Sequence, residues 1–151
     1  MHTRLLLALL LASAIPAQGD HLYSVITTDG FLRRVNPLTG ATLSSVQLVT
    51  TTALNVNGCN GMSRDPVSGQ LYAIVRVAGT GTTRRLATID PATGTVSLIG
   101  ILNDNFSSIA FRADGVLFAV TGDGATVPET LYTVAVGSAV ATFAMTLGNG
   151  S

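Results

Sequence analysis

One five-residue turn occurs three times: Asn36-Pro37-Leu38-Thr39-Gly40, Asp65-Pro66-Val67-Ser68-Gly69 and Asp90-Pro91-Ala92-Thr93-Gly94 share the pattern Asn/Asp-Pro-x-Ser/Thr-Gly. Each position has a mechanical role. The Asn or Asp side chain accepts from backbone N–H groups two residues on, Pro presets φ, and the final Gly takes the left-handed conformation that closes a hairpin. The segments between turns alternate apolar and polar residues and are rich in Thr and Val, which suit a pleated, half-buried surface. The sequence therefore predicts an all-β chain of antiparallel hairpins.

The strands repeat as well. Leu22-Tyr-Ser-Val25, Leu71-Tyr-Ala-Ile74 and Leu117-Phe-Ala-Val120 form one set. Leu86-Ala-Thr-Ile89 and Leu131-Tyr-Thr-Val134 form a second, and Met62-Ser-Arg-Asp-Pro66 with Ile109-Ala-Phe-Arg-Ala113 a third. Equivalents lie about 45 to 54 residues apart, the period of a four-stranded propeller blade. The string LxxIDPxTGxVxxIG … xIAFxxDGxLFAV, as in Leu86 to Val120, resembles the repeats of uncharacterised exported bacterial β-propellers. The resemblance implies a β-propeller fold, an extracytoplasmic location and membership of a longer chain. It brings no catalytic residues. It is weakest at Ala135-Val136-Gly137, where the Asp-Pro turn is lost, and along Thr50 to Asn60.

The expected architecture is thus β-propeller-type repeats of four-stranded antiparallel blades, with a β-sandwich as the alternative. Blade parts are placed near residues 21–49, 60–101 and 107–146 of a repeat region spanning 18–151. The first blade lacks its inner strand. About 2.75 blades fall short of the roughly four to eight that close a ring. The chain is accordingly expected to be a fragment of a longer propeller or, less favoured, a protomer that closes by oligomerising.

Residues 1–17 read as a secretory signal: Arg4 supplies the positive start, Leu5 to Ala14 the apolar run and Ile15-Pro16-Ala17 the small-residue exit. Cleavage is expected after Ala17, or after Ala14. The run is shorter than the roughly 20 residues that span a bilayer, so no membrane span is expected after cleavage. The predicted location is secreted, periplasmic or cell-surface. A lone Cys59 cannot make an intramolecular disulfide, so sheet packing has to hold the fold.

Charge excludes some partners. With 8 basic and 8 acidic side chains, the chain lacks the basic footprint of a nucleic-acid binder. One Cys and two His are too few soft ligands for a structural zinc site. The mature chain offers one histidine, His21, and no nucleophile elbow, so a hydrolytic triad is not expected. Arg33-Arg34 and Arg84-Arg85 are read as equivalent third-strand positions on a solvated outer face, with one arginine of each pair available to cover apolar surface.

In an up-and-down blade the Asp/Asn-Pro turns fall at one end and the longer connections at the other. The long connections carry Asn55, Asn57, Asn60, Asn103, Asp104, Asn105 and Asp123. Loops on a rigid scaffold commonly hold binding sites, and these seven residues form the candidate ligand face. Their amides and carboxylates suit a small molecule or glycan, with a protein partner as a further option. Calcium is the one metal considered; it needs about six to eight oxygens, and no recognised loop spacing is present. No other cofactor is expected. The expected function is a non-catalytic exported binding or scaffold module. A lactonase-like propeller hydrolase, or a surface component that self-associates through open blade edges, are the alternatives.

Overall fold

The computed structural model describes residues 22–148. The signal segment 1–17, His2 and His21 lie outside the described residues.

The described chain is all β. Its strands are β1 (Leu22–Ser24), β2 (Phe31–Val35), β3 (Thr42–Gln47), β4 (Val49–Thr50), β5 (Val56–Arg64), β6 (Leu71–Val77), β7 (Arg84–Ile89), β8 (Thr95–Leu102), β9 (Phe106–Phe111), β10 (Leu117–Thr121), β11 (Thr130–Val134) and β12 (Ala141–Thr146). They form three successive sheets. Sheet 1 has the order β1-β2-β3, sheet 2 the order β4-β8-β7-β6-β5 and sheet 3 the order β12-β11-β10-β9. Apart from β4, which pairs parallel with β8, all pairings are antiparallel.

The repeated turns behave as their chemistry requires. Asn36 Oδ1 accepts from the Leu38 N–H at 2.8 Å, Asp65 Oδ1 from Val67 at 2.9 Å and Asp90 Oδ1 from Ala92 at 2.9 Å. Gly40, Gly69 and Gly94 close them with φ of 72°, 75° and 76°. The fourth member survives without its signature residues. Between β11 and β12 the Ala139 N–H donates to the Ala135 carbonyl at 2.8 Å, and Ala139 itself holds φ 60° where the others have Gly. Its side chain, 2% exposed, belongs to the core packed around Leu86 and Phe106. Burial of the methyl, worth about 0.8 kcal/mol, offsets part of the cost, about 1–2 kcal/mol, of placing an L-residue in that conformation.

Strand alternation divides the core in two. Leu71, Ala73, Val75 and Val77 of β6 join Ala87, Ile89 and Val96 against Leu32, Leu48, Tyr23 and Val46 of the sheet 1 segment. The opposite face, with Tyr72, Ile74, Leu86 and Ile99, packs on Leu117, Ala119, Ile109, Val134 and Tyr132 of sheet 3. Sheet 2 is therefore buried on both sides. Backbones approach closely at these junctions: a Cβ on Gly30 would overlap the Val56 carbonyl, and one on Gly61 would stand 2.9 Å from Ile109 N and Ser108 Cα. Tyr72 and Phe111 meet edge to face at 5.2 Å across the second junction.

Two expectations need correction. The segment Thr50 to Asn60, read as a long connection, is partly strand: β4 crosses from sheet 1 to the rim of sheet 2, and β5 begins at Val56. Buried Leu48 and Thr50 anchor the crossing, with the Leu48 N–H donating to the Gly30 carbonyl at 2.7 Å. The arginine pairs are also not equivalent. Leu22 pairs with Val35 and Leu71 with Ile89, so Arg33-Arg34 align with Ala87-Thr88 rather than Arg84-Arg85. Arg34 and Arg85, one from each pair, are half-buried, with Nε atoms that have no hydrogen-bond partner in the structure.

Two outcomes check this packing. Gly40 and Gly94 share a turn type and a φ, but nothing lies within 4 Å of a Cβ on Gly40, whereas one on Gly94 overlaps the Gln47 carbonyl. Gly40→Ala should cost about 1 kcal/mol and Gly94→Ala about 3 kcal/mol or more, read by denaturant unfolding. Cys59 is 2% exposed, and its thiol is pushed up to about 12 by burial and by the nearby Asp29 charge, against a smaller opposing pull from Arg76. It should resist thiol reagents in the folded protein near pH 8, roughly the unperturbed thiol range, and react fully once the chain is denatured.

Candidate functional site

The end of the sheets opposite the Asp-Pro turns carries a hydrogen-bonded cluster centred on Arg84, the first residue of β7. Its guanidinium donates to Asn60 Oδ1, through Nη1, and to Asn105 Oδ1, with the Nε contact at 2.7 Å. Asn60 reaches Arg84 because β5 bulges there: Cys59 pairs with Val75 and Gly61 with Ile74, leaving Asn60 unpaired. A bulge re-aims the side chain of its extra residue. Asn105, at the entrance to β9, donates from Nδ2 to the Asp123 carbonyl at 2.7 Å, and its own carbonyl accepts from Gly122 at 3.0 Å. Among the described residues the Arg84 charge thus meets amide oxygens and no carboxylate within ion-pair distance. Burial, followed by repulsion from Arg76, lowers its pKa.

Asp104 ties the β8–β9 and β10–β11 connections together. Its Oδ1 accepts from the N–H groups of Thr126 and Asn105, both at 2.8 Å, and its Oδ2 from Val127 at 3.4 Å. Burial would raise this carboxyl, but the backbone donors outweigh it and hold the pKa below the ordinary value. The same connection is pinned from below. Buried Thr121 accepts from the Thr130 N–H at 3.0 Å and donates to the Val127 carbonyl at 2.7 Å. These loops are therefore cross-braced.

Of the seven residues predicted from sequence, Asn60, Asp104 and Asn105 join the cluster by their side chains, and Asp123 joins by its carbonyl. Asn103 is exposed and lines a cavity of about 500 Å³ together with Thr82, Thr83, Arg84 and Asp104. Asn55 and Asn57 lie apart. Asn57 sits exposed at the other bulge of β5, and Asn55 accepts from Gln47 at 3.5 Å. Asn57 and Asn60 are therefore strand residues, not loop residues as expected. Arg84 was missed. Its adjacent arginine suggested a solvated pair, and its partners stand 24 and 21 positions away in sequence.

The arrangement can present hydroxyl, amide and guanidinium groups to a polar ligand. It is poorly provided for calcium. Asp104 and the Asn60 and Asn105 oxygens already accept hydrogen bonds, and among the described residues no group of three or more His, Cys, Asp or Glu could hold a metal ion. A larger cavity of about 1080 Å³ opens at the Asp-Pro turn end, beside Arg64, Asp90 and Thr93. Its polar groups serve the turns: Arg64 Nε donates to the Gly69 carbonyl at 2.9 Å, and Thr93 donates to Asp90 at 2.9 Å. The smaller cavity is the better candidate, because its walls come from the braced loops.

No family model matches the chain, and no curated protein matches it.

A carboxyl whose folded pKa lies below its unfolded value contributes stability above the unfolded pKa, and that contribution disappears as pH falls through the folded pKa. Asp104→Ala should therefore cost about 1 kcal/mol at neutral pH. The gap to the parent protein should close as pH drops below the ordinary carboxyl value of 3.8. Paired melting curves across that range measure it.

Proposed function

We propose that the chain is an exported, non-catalytic binding module built of β-propeller-type blades and belonging to a larger surface or periplasmic protein. Its ligand would enter the cavity beside Arg84 and Asn103. The observation that carries this reading is the bracing of two connections by Asp104 and Asn105 around a cavity of about 500 Å³. That volume falls within the usual range of ligand pockets, and a site ordered before binding loses less conformational entropy on capture.

The ligand class that fits is a neutral, hydroxyl-rich molecule such as a glycan. Thr82, Thr83 and Asn103 offer paired donor and acceptor groups and line the cavity beside Arg84 and Asp104. The succession of antiparallel meanders, three strands in sheet 1 and four consecutive strands in each of sheets 2 and 3, and the repeated turns support the propeller reading. The apolar run at Leu5 to Ala14 supports export.

Asn103 is exposed, so its removal should leave the fold intact. Screening the protein on an array of neutral glycans should identify a binder, and Asn103→Ala should weaken that binder about tenfold with an unchanged melting temperature. A glycan hit whose affinity is the same in Asn103→Ala, or an array with no hit, would remove this reading of the cavity.

A further inference from the structure

Each sheet has a leading face, toward the sheet before it, and a trailing face, toward the sheet after it. The trailing face of sheet 1 packs on the leading face of sheet 2, and the trailing face of sheet 2 on the leading face of sheet 3. Strand register identifies equivalent positions. On the leading face Leu22, Leu71 and Leu117 correspond, paired with Val35, Ile89 and Val134. Leu71 is 7% and Leu117 1% exposed, whereas Leu22 is 51% exposed. On the trailing face Leu32, Leu86 and Leu131 correspond, paired with Val46, Gly100 and Met145. Leu32 and Leu86 are 1% and 0% exposed, whereas Leu131 is only half-buried and Met145 is 53% exposed. Val120, aligned with fully buried Ile74 by its pairing to Leu131, is half-buried too.

The two ends therefore display the two halves of one interface. Arg33 lies 5.7 Å over the Phe31 ring at one end and is paired with Asp29; Arg112 lies 5.5 Å over Phe118 at the other and is paired with Asp114. Register and residue type are continuous with junctions that the chain already buries twice.

We infer that the trailing face of sheet 3 stacks on the leading face of sheet 1 of a second copy of this chain, head to tail. Such a contact is heterologous: it yields a ring if the rotation closes and a filament if it does not. One chain supplies both complementary faces, so a second copy can serve as the occupant; the larger protein of the proposed function is then an assembly of such chains rather than one longer polypeptide. This inference stands independently of the loop-end cavity.

The test uses two variants at exposed positions, Leu22→Glu on the leading face and Met145→Glu on the trailing face, with circular dichroism to confirm folding. Light-scattering mass of the parent protein up to about 100 µM should reach at least twice the protomer mass, and each variant alone should fall to the protomer mass. An equimolar mixture should then form a dimer, since Leu22→Glu retains a good trailing face and Met145→Glu a good leading face. A symmetric contact cannot give that rescue. A parent protein that stays protomeric, variants that assemble as the parent does, or a mixture that stays protomeric would each overturn the inference. The first would assign the faces to a further repeat of a longer chain or to an unrelated protein.

Discussion

Burial of the middle sheet on both faces is the constraint from which the remaining structure follows, because each of its strands has to satisfy two neighbours at once. Along β6 this requires Leu71, Ala73, Val75 and Val77 to fill one junction while Tyr72 and Ile74 fill the other. A strand with one wet face would read as alternating apolar and polar residues. β6 reads as a nearly continuous apolar run, as expected of a strand covered on both sides. Close backbone approaches at Gly30, Gly61 and Gly94 let the sheets come together along their edges as well as through their side chains.

The outer sheets differ from the middle one for the same reason. Each has one face inside the stack and one outside, and the outside faces retain the apolar residues of the repeat. The single Cys59 is absorbed into the first junction as a small hydrophobe. Among the described residues the ion pairs are Asp29–Arg33 and Asp114–Arg112, both between near neighbours in sequence. Pairs of that kind contribute little to stability. Apolar burial and ladder hydrogen bonds hold the fold.

Much of the fold was legible because the turns announce themselves. An Asx-Pro turn is a local device, and its residues determine where two strands end. Strand positions in all three sheets, including the three-stranded first sheet, could be placed from Asn36, Asp65, Asp90 and the Leu22, Leu71 and Leu117 repeats. The turn at Ala135 could be placed only from its flanking strands, because it lacks the Asp-Pro signature and puts a buried Ala139 at φ 60° where the others have Gly. The bulges of β5 were hidden. They arise where nine residues pair with seven across the hairpin, a mismatch with no compositional mark. That concealment misplaced Asn57 and Asn60 in a loop, and the long sequence separations hid Arg84 as the centre of the candidate site.

The account rests on sheet 2 being the interior of a stack, and amide hydrogen exchange under native conditions tests this most directly. Amides of β6 and β7, covered on both faces, should exchange slowest and only with global unfolding, while those of β1, β3 and β12 should exchange through smaller openings. Protection that is greatest in sheet 1 or sheet 3, with β6 and β7 opening first, would contradict the stacked arrangement.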